Sequence, residues 1–162
     1  ATATEEYDGS SWTNGGALNT GRSAAAGTGT QTAALCYGND GPDKTISEEY
    51  DGSSWTSSGS MNTGKFFMAL GGAGTQTAAV ASCGSSGPST SVTAVTETYD
   101  GTSWATNPSM GTARYYLAGG ASAPNSAALV MGGANASETK QNATEEFTGV
   151  TETIVAKTLT TS

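Results

Sequence analysis

One short phrase occurs four times along this chain, and its period restricts the fold more than any other feature. Glu5-Glu6-Tyr7-Asp8-Gly9-Ser10-Ser11-Trp12-Thr13 recurs as Glu48-Glu49-Tyr50-Asp51-Gly52-Ser53-Ser54-Trp55-Thr56. It appears again as Glu97-Thr98-Tyr99-Asp100-Gly101-Thr102-Ser103-Trp104-Ala105, and in decayed form as Glu145-Glu146-Phe147-Thr148-Gly149. The Tyr/Phe positions lie 43, 49 and 48 residues apart, a period that marks an array of β-repeats. Only 35% of the chain is hydrophobic, against roughly 45–50% in an average domain. That composition alone would suit disorder. The return of Tyr and Trp at fixed places argues instead for thin, tightly stacked sheets, in which small residues surround a few bulky anchors.

Each cycle reads as short strands separated by turn signals. Thr4–Tyr7 alternates, Asp8-Gly9 marks a tight hairpin in which both residues supply positive φ, and Trp12-Thr13 begins the return strand. Arg22–Gly27 and Thr32–Gly38 are expected as two apolar strands around Thr28-Gly29-Thr30-Gln31, followed by the polar loop Asn39–Thr45. The second cycle places strands at Phe66–Leu70 and Val92–Tyr99. The third places them at Tyr115–Ala118 and Ala127–Gly132, and Val150–Leu159 reads as a closing strand. No segment carries a helical period. The expected class is all-β: one domain, 1–162, with repeats at about 1–46, 47–95 and 96–143 and a closing segment at 144–162. With four strands per cycle this makes three to three and a half four-stranded antiparallel blades. Tyr7, Trp12, Tyr50, Trp55, Tyr99, Trp104 and Phe147 are the expected structural anchors, filling the space between neighbouring blades.

Charge and residue inventory remove several functions. The formal charge is −8, with six Lys and Arg against fourteen Asp and Glu, so phosphate neutralisation, the basis of nucleic-acid affinity, has little to draw on. No apolar run reaches the ~20 residues of a membrane span, and no secretory signal is visible. The sequence opens in mid-repeat, which is compatible with an upstream natural N-terminus. With no His, Ser-His-Asp and Cys-His nucleophile systems are absent. Two Cys cannot complete a four-ligand zinc site. Cys36 and Cys83 read as comparable positions in successive repeats, too far apart to pair and buried as free thiols.

The glycine stretches Gly27–Gly29 and Gly71–Gly74 lack the Lys-Ser/Thr of a phosphate loop and are expected as turns. The acidic loop Asn39-Asp40-Gly41-Pro42-Asp43 matches no calcium loop of defined spacing. Asn135-Ala136-Ser137 and Asn142-Ala143-Thr144 are glycosylation sequons only in a eukaryotic secreted setting. Glu5/Glu6, Glu48/Glu49 and Glu145/Glu146 are neighbours on strands and so point to opposite faces. They are expected to be solvated or to guard edges. No cofactor, metal or catalytic residue is expected.

Tyr50-Asp51…Trp55…Met61…Lys65…Gly84 resembles the kelch repeat, with Arg22 and Arg114 at the basic position held once by Lys65. The glycine doublet of that pattern is complete at Gly132-Gly133 and half kept at Gly38-Asn39 and Cys83-Gly84. The resemblance implies kelch-type β-propeller blades. Kelch-type oxidases use a copper site containing His, which this chain lacks. The Glu-Tyr-Asp-Gly-Ser-Ser-Trp and Gly-Thr-Gln-Thr-Ala-Ala wording is similar to kelch-like arrays encoded by tailed phages, marine ones especially. That similarity implies a non-enzymatic virion or extracellular structural protein (a tail, fibre or decoration part) working in host recognition.

Propeller rings hold about four to eight blades. Three and a half therefore point to a homo-oligomeric ring, a section of a longer propeller, or another closed form. Expected partners are the chain itself, other virion proteins and a host-surface glycan, without nucleic acid or membrane insertion. The loops between second and third strands form the candidate binding face, with Asn39, Asp40, Asp43, Lys44, Ser85, Ser86, Ser89, Asn135, Glu138 and Lys140 as its residues. A bacterial extracellular carbohydrate-binding propeller is the alternative. Exposed aromatics on the loop face would favour it, and Asn39–Thr45 and Gly84–Ser91 carry none.

Overall fold

The computed structural model describes residues 1–68, 73–87, 91–120 and 126–148. These form thirteen strands in four antiparallel sheets, with no helix among the described residues. The first sheet pairs β1 (Glu5–Tyr7) with β2 (Trp12–Asn14). The second holds β3 (Ala26–Thr30), β4 (Ala33–Tyr37), β5 (Ser47–Tyr50) and β6 (Trp55–Ser57) in sequence order. The third repeats that order with β7 (Ala73–Thr75), β8 (Ala78–Ser82), β9 (Thr96–Tyr99) and β10 (Trp104–Asn107). The fourth contains β11 (Ala118–Gly120), β12 (Ala127–Met131) and β13 (Thr144–Thr148). The expected closing strand, Val150–Leu159, lies outside the described residues.

Local chemistry sets the hairpins. Between Tyr and Trp the chain makes a four-residue loop, in which only glycine takes a positive φ (Gly9 +100°, Gly52 +92°, Gly101 +95°). The tight two-residue turn expected at Asp-Gly is not formed. Aspartate instead anchors the loop as an acceptor. Asp51 Oδ1 takes the amides of Ser53 and Ser54 and the Ser53 hydroxyl at 2.8–2.9 Å. The Ser54 amide, then the Ser53 hydroxyl and amide, hold the Asp51 carboxyl down at about 2. Asp8 and Asp100 are lowered by the same amides, those of Ser11 and Ser10 and of Ser103 and Thr102.

The first inner strand starts later than expected, at Ala26, because Arg22–Ala25 form a corner. Gly27–Gly29 lies within β3, and the turn falls at Gln31-Thr32. Likewise Phe66 and Tyr115 make isolated bridges rather than strands.

The sheets stack in one direction. Leu35 and Tyr37 of the second sheet pack on Ala79, Ala81, Tyr99 and Trp104 of the third, with Met61 and Met68. Val80 meets Ala128 and Phe147 of the fourth, and Cys83 and Met110 meet Leu117 and Val130. Hydrogen bonds repeat along the stack. The Tyr50 hydroxyl donates to Glu6 Oε1 and Trp55 Nε1 to Thr4 Oγ1 (3.1 Å). One sheet on, Tyr99 donates to Glu49 Oε1 (2.6 Å) and Trp104 Nε1 to Ser47 Oγ (3.2 Å). Where the linker slips beneath the next hairpin, a Cβ on Gly16 or Gly59 would stand 2.1 or 2.2 Å from the Ser53 or Thr102 carbonyl oxygen.

Two sequence expectations about these residues need correction. Tyr7 and Trp12 are 48% and 66% exposed, because the Tyr–Trp pairs of the second and third sheets pack on the sheet before them and no described strand precedes the first. Trp55 is only partly buried, while Trp104 is 6% exposed. Cys83, not Cys36, is fully buried. The two are also not equivalent: Cys36 lies inside β4, whereas Cys83 follows β8 at φ +58°, the place of Gly38 and Gly132.

The glutamates are the larger correction. Glu48, Glu97 and Glu145 are buried, each in an ion pair with the basic residue of the linker entering its sheet: Arg22–Glu48, Lys65–Glu97 (3.2 Å) and Arg114–Glu145 (2.8 Å). The linker folds its cation back over the ends of the middle strands, so Glu48, Glu97 and Glu145 each meet a counter-charge instead of water. Lys65 Nζ also donates to the Ala81 and Val95 carbonyls at 3.1 Å, so all three of its protons have acceptors. The Asn62 and Thr63 amides donate to Glu97, at 2.6 and 3.1 Å. Burial pushes the Lys65 ammonium below its ordinary 10.5, with Glu97 pulling the other way. Burial pushes Glu48 up, but the Asn19 amide, Arg22 and the Thr20 amide together hold it below the ordinary 4.5.

Two outcomes follow for stability. Glu97→Gln leaves a buried ammonium without its counter-charge and is expected to cost about 3–5 kcal/mol in urea unfolding. Adding Lys65→Met should recover more than half of that loss. On pH, Asp8, Asp51, Asp100 and Glu48 all have folded pKa values below their unfolded ones. Their contribution is therefore complete above the ordinary carboxylate values of 3.8 and 4.5 and is lost as pH falls through the folded values. The urea midpoint should fall between pH 4 and 2, and Asp51→Asn should flatten that fall.

Candidate functional site

Two residues beyond each linker cation the backbone turns through the left-handed region, at Ala24 (φ +53°), Phe67 (+50°) and Tyr116 (+54°). Bulky residues rarely adopt that region, which costs on the order of 1–3 kcal/mol each when enforced. A relay of amides holds them there: Phe67 N–H donates to the Ala24 carbonyl and Tyr116 N–H to the Phe67 carbonyl, each at 3.0 Å. The three corners are thus tied in a row, at the end of the stack where the loops between second and third strands emerge. Reciprocal backbone bonds pin the residues beside them, Phe66 with Ser85 (2.9 and 2.8 Å) and Tyr115 with Ala134 (3.0 and 2.9 Å).

The corners gather an aromatic cluster. Phe67 and Tyr116 have ring centroids 4.4 Å apart, Phe66 flanks Phe67 at 4.9 Å, and Tyr115 flanks Tyr116 at 4.8 Å. Asp40, Ser85 and Glu138 complete a groove of about 330 Å3 around these four rings. Lys44 Nζ stands 5.0 Å from the Phe66 ring centre. Tyr116 is 56% exposed, an accessible aromatic face in a groove that two carboxylates also line. Among the described residues, no three His, Cys, Asp or Glu side chains converge as metal ligands.

The loop residues singled out from sequence divide. Asp40, Ser85 and Glu138 line the groove, and Lys44 borders it. Asn39 and Ser85, expected on an open face, are buried. Asn39 Oδ1 accepts the Ser23 amide (3.2 Å), and the Ser85 hydroxyl donates to the Gly87 carbonyl (2.8 Å). They brace the loops, with Ser85 also part of the groove wall. Asn135 Oδ1 takes the Ser137 and Thr139 amides at 3.0 Å and so sets the loop that presents Glu138 at φ +60°. Asp43, Ser86 and Lys140 are exposed and do not line the groove. Ser89 lies outside the described residues.

Phe67 and Tyr116 were missed, because Phe66–Leu70 and Tyr115–Ala118 read as core strands. The available signal was the doubled aromatic after each cation, Lys65-Phe66-Phe67 and Arg114-Tyr115-Tyr116, where alternation leaves one of the two rings outward.

No protein-family model matches this chain, and no curated protein matches it in sequence. Among solved structures its fold is similar to that of YjhT, with a TM-score of 0.69 and 12% identity over 90% of this chain. The match takes in 48% of YjhT, so the chain spans about half the length of that neighbour. The likeness is one of fold alone, and the all-β stack is consistent with a β-propeller.

The strained corner separates stability from function. Tyr116→Gly removes an exposed ring from a left-handed position while loosening the unfolded chain by about as much. Its thermal unfolding should stay within about 1 kcal/mol of the parent. Leu117→Ala, at a buried neighbour, should cost about 2–5 kcal/mol.

Proposed function

We propose that this chain is a non-catalytic recognition module of kelch-type β-propeller blades, whose groove holds one or two sugar units of a surface glycan. The observation that carries the reading is the Phe67–Tyr116 pair beside the Asp40 and Glu138 carboxylates and Ser85. Sugar rings present C–H faces that pack on aromatic rings, and hydroxyls that donate to carboxylates. The groove volume lies at the low end for small-ligand sites, in keeping with one or two sugar units. An acidic protein with two carboxylates at the site disfavours anionic ligands such as phosphates.

The phage-like repeat wording supports a virion setting, with the module on a tail, fibre or decoration part facing a host-surface glycan. A bacterial extracellular carbohydrate-binding propeller would use the same groove, and the aromatic corners favour glycan binding in either setting. The expected result is a set of neutral glycans bound on an array, with affinity by calorimetry falling at least tenfold in Tyr116→Gly and in Phe67→Ala. An array without hits, or binding indifferent to both substitutions, would sink the reading.

A further inference from the structure

The two ends of the sheet stack carry the two halves of the contact that joins its sheets. At both internal junctions where the contact forms, a forward-facing hydroxyl and carboxylate two residues apart receive the Trp and Tyr of the next sheet. Thr4 and Glu6 receive Trp55 and Tyr50, and Ser47 and Glu49 receive Trp104 and Tyr99. In the fourth sheet the same register positions are Thr144 and Glu146. Glu146 pairs with Leu129 as Glu49 pairs with Leu35, and Thr144 pairs with Met131 as Ser47 pairs with Tyr37. Glu146 is exposed, and with Gly120, Ala127, Leu129 and Thr148 it borders an open concavity of about 340 Å3.

The donor half stands at the other end. Tyr7 and Trp12 are the most exposed members of their repeat positions, yet their rings keep the internal geometry. Their centroids are 5.1 Å apart at 35°, against 4.9 Å at 33° for Tyr50–Trp55 and 5.1 Å at 36° for Tyr99–Trp104. The third junction sharpens the point. There the carboxylate position holds Thr98 and the phenol position holds Phe147, so both partners of that hydrogen bond are absent together. A carboxylate is present at this position wherever a phenol meets it. Glu146 has the carboxylate, and no described residue of its own chain supplies the phenol.

We propose that a second copy of this chain docks head to tail on the fourth sheet, the Tyr7 hydroxyl of one copy donating to Glu146 of the other and the Trp12 indole N–H donating to Thr144. Repeating the contact at the remaining pair of ends closes a two-copy ring. One chain covers 48% of the YjhT chain, so two copies together are close to that neighbour in length. This inference rests on the propeller reading and is independent of the glycan groove, which lies at the loop end of the stack.

Sedimentation equilibrium of the 162-residue chain tests it, with circular dichroism confirming the fold of each variant. The expected parent is a dimer of the 16.0 kDa chain, with Trp12→Ala and Glu146→Lys each monomeric at the same concentration. Mixing the two variants should restore dimers, since the mixture keeps one intact junction: the head of Glu146→Lys on the tail of Trp12→Ala. A parent that stays monomeric, a dimer unaffected by either substitution, or variants that fail to re-associate on mixing would each overturn the proposal.

Discussion

A buried cation holds each repeat of this protein together. Arg22, Lys65 and Arg114 enter from the linker between sheets and end against a glutamate of the next sheet's third strand. Each also donates to the carbonyls where the second strand finishes and the third begins: Arg22 to Cys36 and Ile46, Lys65 to Ala81 and Val95, and Arg114 to Gly132 and Ala143. Taking such charges out of water is costly, and the arrangement holds only because nearly every proton and lone pair is met. It fixes where the linker crosses, and therefore where the following corner falls. With few bulky apolar residues to spend on a core, the fold takes its specificity of placement from these pairs.

The groove depends on the same constraint. The corner residue is two positions past the cation, and the amide relay Ala24–Phe67–Tyr116 runs from one sheet to the next. A linker held by its cation can carry a phenylalanine and a tyrosine through a backbone region they would otherwise avoid. Where the first repeat has Ser23-Ala24 the corner is small, so the aromatic surface belongs to the second and third repeats. The Tyr–Trp contacts work at right angles to this, along the stack, and give it a direction. The first and second sheets present acceptors forward, and the second and third present aromatic donors backward.

Much of this was legible in the sequence. The period, the Asp-Gly loops and the alternation around Tyr and Trp announce four antiparallel sheets in their observed order, because each is a short-range pattern with one local solution. Glu48, Glu97 and Glu145 were not legible. Strand alternation says that one of two neighbours points inward, but not that a cation some thirty residues away in the chain is waiting there. Phe67 and Tyr116 failed for a related reason, since a doubled aromatic reads as core unless the corner that turns one ring outward is known.

The chain by itself therefore determined the repeat and the order of strands within each sheet, both consequences of near-neighbour stereochemistry. Only the tertiary structure decided which glutamate is buried, which aromatics reach solvent, and that the first Tyr–Trp pair lies bare. Burial is settled by which sheet packs on which face, and in a directional stack a residue identical in sequence to its repeat partners changes environment with its place in the row.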